Sequence, residues 1–242
     1  MTGTSAFNMT IGEIVAADYR AAAVFQRRGI DFCCHGARTL ERGCRDAGID
    51  TVEVLREIED ATASPAADVP RFNSWDLQTL VNYIVANHHA YVRQMLPLMT
   101  AHARKIAEVH GGRHRELPRV AQLVEEISAE MTSHMMKEEQ ILFPYIVRLA
   151  TAAAEGRPAP RAPFGSVDNP IRMMEMEHET AGHAMLEIRE LTDGFTPPAD
   201  GCSTYAVCLQ ELEAFERDLH AHVHLENNIL FPKASALEAA RS

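Results

Sequence analysis

Apolar residues recur at spacings of three and four along four long stretches of the chain, roughly 74–110, 116–154, 168–192 and 203–239. Val85, Val92 and Leu96 mark the stripe of the first, and Ile127, Met131, Ile141 and Leu142 that of the second. Ile171, Met174, Ala181 and Met185 mark the third; Phe215, Leu219, Leu225 and Ile229 mark the fourth. This period belongs to amphipathic helices that bury one face. Gly111-Gly112, the Pro-rich segment from Gly156 to Pro170, and the stretch from Thr192 to Ser203 with Pro197-Pro198 separate them. Four long helices with modest loops predict an all-α chain built on an antiparallel four-helix bundle.

The first sixty residues read differently, as three short helical segments. Thr10-x-x-Glu13 is a capping box opening a helix-like run to Arg28, which Gly29 stops. A turn follows, Gly29-Ile30-Asp31-Phe32-Cys33-Cys34-His35-Gly36. Helices are then expected over Arg38 to Ala47, ended by Gly48, and from about Asp50 to Ala61. The stretch 61–71, made of small residues and two prolines, has linker composition. It divides the chain into a small helical Cys-Cys domain, 1–65, and a bundle domain, 72–242.

Composition narrows the function classes. The hydrophobic share of 46% supports a core, and aromatics at 6% favour helices over sheets. A formal charge of −11 with no long basic run argues against nucleic acid as a partner. No apolar run approaches the roughly 20 residues of a membrane span, and Met1 to Thr10 has no signal-peptide pattern. The expectation is a cytoplasmic protein. Five cysteines, an odd number that includes a vicinal pair, do not read as a disulfide framework.

The chemistry lies in an internal duplication. Glu138-Glu139-Gln140-Ile141-Leu142-Phe143-Pro144 recurs as Glu226-Asn227-Asn228-Ile229-Leu230-Phe231-Pro232, and a histidine precedes each first glutamate by four residues. His134/Glu138 and His222/Glu226 therefore each place an imidazole and a carboxylate one turn apart on an inward face. A surface salt bridge or a hydrogen-bonded core histidine would explain one such pair; two in matching contexts point to metal. On the third helix His178 shares the apolar stripe. On the first, His88 and His89 compete. The spacings 134 − 89 = 45 and 222 − 178 = 44, against 46 for His88, favour His89. Four imidazoles and two carboxylates suit two iron ions with bridging carboxylates better than one structural zinc.

Glu130, one turn before His134, and Glu177, beside His178, read either as surface acids or as carboxylates that tune the metals. His220 and His224 share a face with Glu213, Arg217 and Asn227 and read as a solvated stripe; His183 falls off the His178 face. His102, His110 and His114 are expected to be exposed near a loop, and Cys202 and Cys208 show no ligand spacing. Cys33-Cys34 reads either as two small buried hydrophobes or as reactive thiols favoured as thiolates by a helix starting near Arg38, with Cys44 close by.

With these motifs in view, the chain resembles the iron–sulfur cluster repair di-iron proteins over almost its whole length. Asp31-Phe32-Cys33-Cys34-His35-Gly36 is similar to the family's N-terminal D-[FY]-C-C-x-G motif. The segments from His134 and His222, each leading into Leu-Phe-Pro, resemble its bundle motifs, and His89 and His178 match its single-histidine ligands. The resemblance implies a hemerythrin-like bundle with an oxo-bridged diferric centre. It implies restoration of iron–sulfur clusters after nitrosative or oxidative stress by supplying iron, with iron–sulfur proteins as recipients. Nitric oxide reduction is an activity also attributed to the family, and Cys33 and Cys34 are implied to help in redox or delivery. Glu130 and Glu177 match family acids near the metals. The alternative is a hemerythrin-like sensor or carrier of O2 or NO. Hemerythrin proper has a histidine pair four apart on its third helix, whereas position 182 here is Gly. Whether two chains pair into a homodimer stays open.

Overall fold

A computed structural model describes residues 9–63 and 70–241. The linker expected over 61–71 lies largely at 64–69, and the stretch Met1 to Thr10 largely at 1–8, both outside the described residues.

Four short helices open the chain: α1 (Ile11–Ala17), α2 (Ala22–Arg27), α3 (Leu40–Ala47) and α4 (Thr51–Thr62). The Thr10 capping box forms, with Thr10 N–H donating to Glu13 and Glu13 N–H donating back to Thr10. The single run expected to Arg28 is broken at Asp18. Its backbone turns extended and its carboxylate accepts the Arg20 N–H, capping a short 3-10 turn, Tyr19–Ala21. This aspartate gains more from an orphan N–H than from continuing the helix. Gly29 ends α2 with φ +65°.

The bundle helices are long and interrupted. α5 comprises Leu77–Tyr83, a π turn Ile84–His89, and Ala90–His110. α6 comprises Leu117–Lys137, a π turn Glu138–Leu142, and Phe143–Ala154. α7 is Asp168–Leu191, and α8 comprises Ser203–Leu225, a π turn Glu226–Leu230, and Phe231–Ala239. α5 packs on α6 and α8, and α7 packs on α6 and α8. Both copies of the repeat carry the π turn at the same place, with Phe143 and Phe231 N–H reaching back five residues to Glu138 and Glu226. Pro144 and Pro232 follow at once; lacking an N–H and crowding the carbonyl four residues back, they favour this local widening.

Two apolar clusters fill the interior. One, with Val92, Met99, Ile127, Met185 and Phe215, also takes in Ile11, Phe25, Leu40 and Val54 of the short helices. The other holds Leu80, Phe143, Ile146, Met174 and Phe231. His89, Glu138 and His178 sit where the chain passes from one cluster to the other, so a polar layer lies between them.

Ile141, expected on the buried stripe, is half exposed, whereas its counterpart Ile229 is buried. The short helices account for the difference, because they cover the second copy and leave the first bare. Gly12 and Gly36 come so close that a Cβ on either would lie 2.2 Å from the Asn228 Oδ1. The Asn228 amide donates to the carbonyls of Phe32 and Cys33.

Candidate metal centre

The six predicted ligands converge. His89, His134, Glu138, His178, His222 and Glu226 are buried to 1% exposure or less. They form two overlapping groups: His89, Glu138, His222 and Glu226, and His134, Glu138, His178 and Glu226. The two glutamates belong to both, as bridging carboxylates must. The Nε2 atoms of His89 and His222 stand 3.2 Å apart, and those of His134 and His178 stand 3.0 Å apart. Glu138 Oε2 lies 3.2 Å from His134 Nε2 and 3.3 Å from His89 Nε2. Glu226 lies 2.9 Å from His222 Nε2 and 3.0 Å from His178 Nε2.

Ligands about 2.1 Å from one ion stand about 3.0 Å apart at right angles and about 3.4 Å apart in a tetrahedron. The observed spacings, 2.9–3.3 Å, fall in this range, as those of ligands gathered around shared ions do. Buried orphan atoms point to a bound cation: both Glu138 oxygens and Glu226 Oε2 have no hydrogen-bond partner, a cost that a cation would offset.

Electrostatics supports an exchange of protons for metal. Burial would lower the His89 imidazole, but Glu138 and Glu226 outweigh it and hold it up to about 10. His134 is likewise raised to about 9, with Glu138 as the main opponent of burial. Burial pushes both glutamates up, and for Glu138 so does Glu226; the histidines win, holding Glu138 low and Glu226 well below the usual carboxylate range. Burial keeps His222 low. The raised His89 and His134 favour bound protons beside the two carboxylates, and cations can replace those protons.

Around the ligands, acceptors at Nδ1 aim three of the four imidazoles, the buried His222 Nδ1 being without one. His89 Nδ1 donates to Glu139 at 2.6 Å, His134 Nδ1 to Glu177 at 2.9 Å, and His178 Nδ1 to Asn227 at 2.9 Å. Arg93 pairs with Glu139, and Lys137 with Glu177. Glu177 thus lies against a ligand, whereas Glu130 is exposed and outside both groups. Met131 takes the buried side of that turn, and Glu130 falls on the solvent side. Sequence reasoning missed Glu139 and misplaced Asn227 on a solvated stripe. Their matched position, directly after Glu138 and Glu226, was the available signal. The His88/His89 choice resolves in space: His89 enters the layer, while His88 donates to Asp218 at 2.9 Å and stacks on His222.

Other expectations change. His224 is fully buried and His220 packs edge-on against Phe32, because the short helices cover what read as a solvated stripe. His102, His110 and His114 are half buried, paired with Glu211, Cys202 and Asp200 respectively. Cys202 thereby has a partner that spacing did not reveal, 3.2 Å from His110, which draws its thiol down to about 7. Cys33 and Cys34 line a cleft of about 380 Å³ between the Asp31–Gly36 turn, α7 and α8. A thiolate at Cys33 is not favoured: its hydrogen bond to Cys34 and its burial raise the thiol well above its usual value. The helix expected from near Arg38 begins at Leu40. A Cβ at Gly182 would meet the Cys34 sulfur at 3.7 Å, so a thiol stands where hemerythrin's second histidine would project.

An all-helical bundle with six inward His and Glu ligands in two shared groups defines the hemerythrin-like class of metal-binding proteins. The Hemerythrin HHE cation binding domain model matches residues 80–234, and a model described as Domain of Unknown function (DUF542) matches residues 7–62. The chain is similar to the iron-sulfur cluster repair protein YtfE of Enterobacter sp. (strain 638), 35% identical over 94% of this chain and 97% of that one. It is 34% identical to the YtfE of Musicola paradisiaca, over 95% and 97%. It is 33% identical to a probable iron-sulfur cluster repair protein of Haemophilus influenzae, over 92% and 95%. The chain belongs to the iron–sulfur cluster repair protein family, with a hemerythrin-like, non-haem iron-binding bundle.

Proposed function

We propose that this protein holds two non-haem irons and supplies iron to iron–sulfur proteins whose clusters nitrosative or oxidative stress has damaged. In this reading residues 72–242 form the di-iron domain and 1–65 a Cys-Cys domain packed against it. The observation that carries it is the pair of four-ligand groups sharing Glu138 and Glu226. His89 and His222 would hold one iron, His134 and His178 the other, with both carboxylates between them. When bound, the pair supplies redox-active iron with coordination positions left for an oxo bridge or for small ligands such as NO or O2. The chain's own residues orient the imidazoles through Glu139, Glu177 and Asn227, hold two protons while metal is absent, and exclude water from the layer. The relatives' printed names support the repair role, and cluster proteins as recipients follow from it.

The test is iron content and optical spectrum before and after dithionite, NO and a chelator. About two irons per chain with oxo-to-iron absorption, lost to the chelator after reduction, are expected. Irons that survive this treatment and bind gas reversibly would replace the repair reading with that of a sensor or carrier. A protein that takes up only zinc would overturn the di-iron assignment.

A further inference from the structure

Outside the buried layer, one other group of metal-ligating side chains stands together among the described residues: Asp31, Cys33 and Cys34. Asp31 Oδ1 accepts the backbone N–H of Cys33 at 3.0 Å and of Cys34 at 2.9 Å, which folds the turn so that both thiols lie on one side. The two sulfurs are 3.9 Å apart and unbonded, and the Cys33 sulfur is 3.4 Å from Asp31 Oδ1. His35 Nδ1 donates to the other oxygen, Asp31 Oδ2, at 2.6 Å, fixing the carboxylate.

Those distances are the ones a tetrahedral ion would impose. Two sulfurs each about 2.3 Å from one ion stand about 3.8 Å apart, and sulfur and carboxylate oxygen stand about 3.5 Å apart. The buried layer, with nitrogen and oxygen ligands only, shows shorter spacings of 2.9–3.3 Å. The turn opens on the 380 Å³ cleft, which His183, Glu179 and Arg189 help to line. A fourth position would therefore face solvent, unlike anything in the layer.

We propose that Asp31, Cys33 and Cys34 form a second, mononuclear metal site for a thiophilic divalent cation, zinc or ferrous iron, with its fourth position open to the cleft. Two thiols and one carboxylate select such ions over magnesium or calcium. Binding is a plain exchange: two S–H bonds break, two sulfur–metal bonds form, and two protons leave to solvent with no change of oxidation state. The site does not depend on the di-iron reading, since its three ligands are separate from the six in the bundle. It is joined to the layer by one side chain, Asn227, which accepts from His178 and whose amide points at the Cys33 carbonyl, 3.5 Å away.

Anaerobic titration of the as-purified full-length protein with cobalt(II) tests it, bundle metal being counted separately. One cobalt per chain with a sulfur-to-cobalt charge-transfer band and about two protons released per ion is expected. Zinc and ferrous iron added afterwards should erase the band, and the order of their efficacy names the preferred ion. Cys34→Ala, at a half-buried position, and Cys33→Ser should abolish the band while helicity and bundle metal content stay unchanged. Asp31→Asn should weaken cobalt binding by about tenfold or more. A band that persists in Cys34→Ala would assign it to another thiol and overturn the proposal. Cobalt uptake without a sulfur band, or conversion of the two thiols to a disulfide in place of binding, would overturn it equally.

Discussion

The two copies of the Glu-x-x-Ile-Leu-Phe-Pro motif present the same ligands inward and different faces outward. In the first copy, Met136, Gln140 and Ile141 are exposed. In the second, the corresponding His224 and Ile229 are buried, and Asn228 is held by the Phe32 and Cys33 carbonyls. Beside the metal layer, Glu139 backs His89 with a charge, while Asn227 backs His178 with an amide. A near-symmetric metal cradle is thus embedded in an asymmetric molecule. The lesson is that ligand geometry is set by helix and π-turn register, which both copies share. The outer shell is set by what packs on each copy, which they do not.

The largest expected effect tests the symmetry itself. Since each glutamate belongs to both groups, Glu138→Ala and Glu226→Ala should each empty the whole site, from about two metal ions per chain to nearly none. Metal analysis of the purified variants checks this; a variant retaining one ion would break the equivalence.

Acid should then separate the copies. Burial lowers His224 to about 4, below its usual 6.5. A histidine kept neutral by folding contributes stability that is intact above pH 6.5 and lost as pH falls toward 4, on the order of 3 kcal/mol at that limit. His224→Met, which installs the first copy's residue, should flatten this part of the decline in thermal melts between pH 7 and 4. In metal-free protein the opposite sign applies to His89 and His134. Their raised values make stability fall as pH climbs from 6.5 through 9 to 10, while metal, which takes neutral imidazole, should bind more tightly.

Smaller effects sharpen the outer shell. Glu139→Ala should weaken metal binding about 10- to 100-fold, measured by chelator competition. Asn227→Ala should cost less, because an amide acceptor stabilises its imidazole less than a carboxylate does. Smallest is a paired substitution at one repeat position. Asn228→Ala should destabilise by about 1–2 kcal/mol through two lost hydrogen bonds to buried backbone. Gln140→Ala should stay within about 0.5 kcal/mol. Equal losses in denaturant melts would mean that the short helices do not grip the second copy.

Much of this was legible beforehand. Helix period gave the four bundle helices within a few residues; the duplicated motif with its preceding histidine gave four of the six inward side chains, and the apolar stripe and the matching spacings gave His178 and His89. Periodicity is a local property that the chain carries whatever packs around it. What was misread sits mostly where a neighbour intervenes. His220 and His224 share a polar stripe with Glu213 and Arg217, and nothing local says that the Cys-Cys turn lies over them. Ile141 reads as core because its echo Ile229 is core, yet only Ile229 has a partner. Asn227 reads as solvated until His178 arrives from another helix.

The sequence by itself determined the helices, the repeat and the ligand types, because three- and four-residue spacing alone decides which side chains share a helix face. The tertiary structure decided which oxygen backs which imidazole, which copy is covered, and that Asp31, Cys33 and Cys34 face one cleft. Those contacts join residues far apart in the chain, and no local spacing encodes the distance between them.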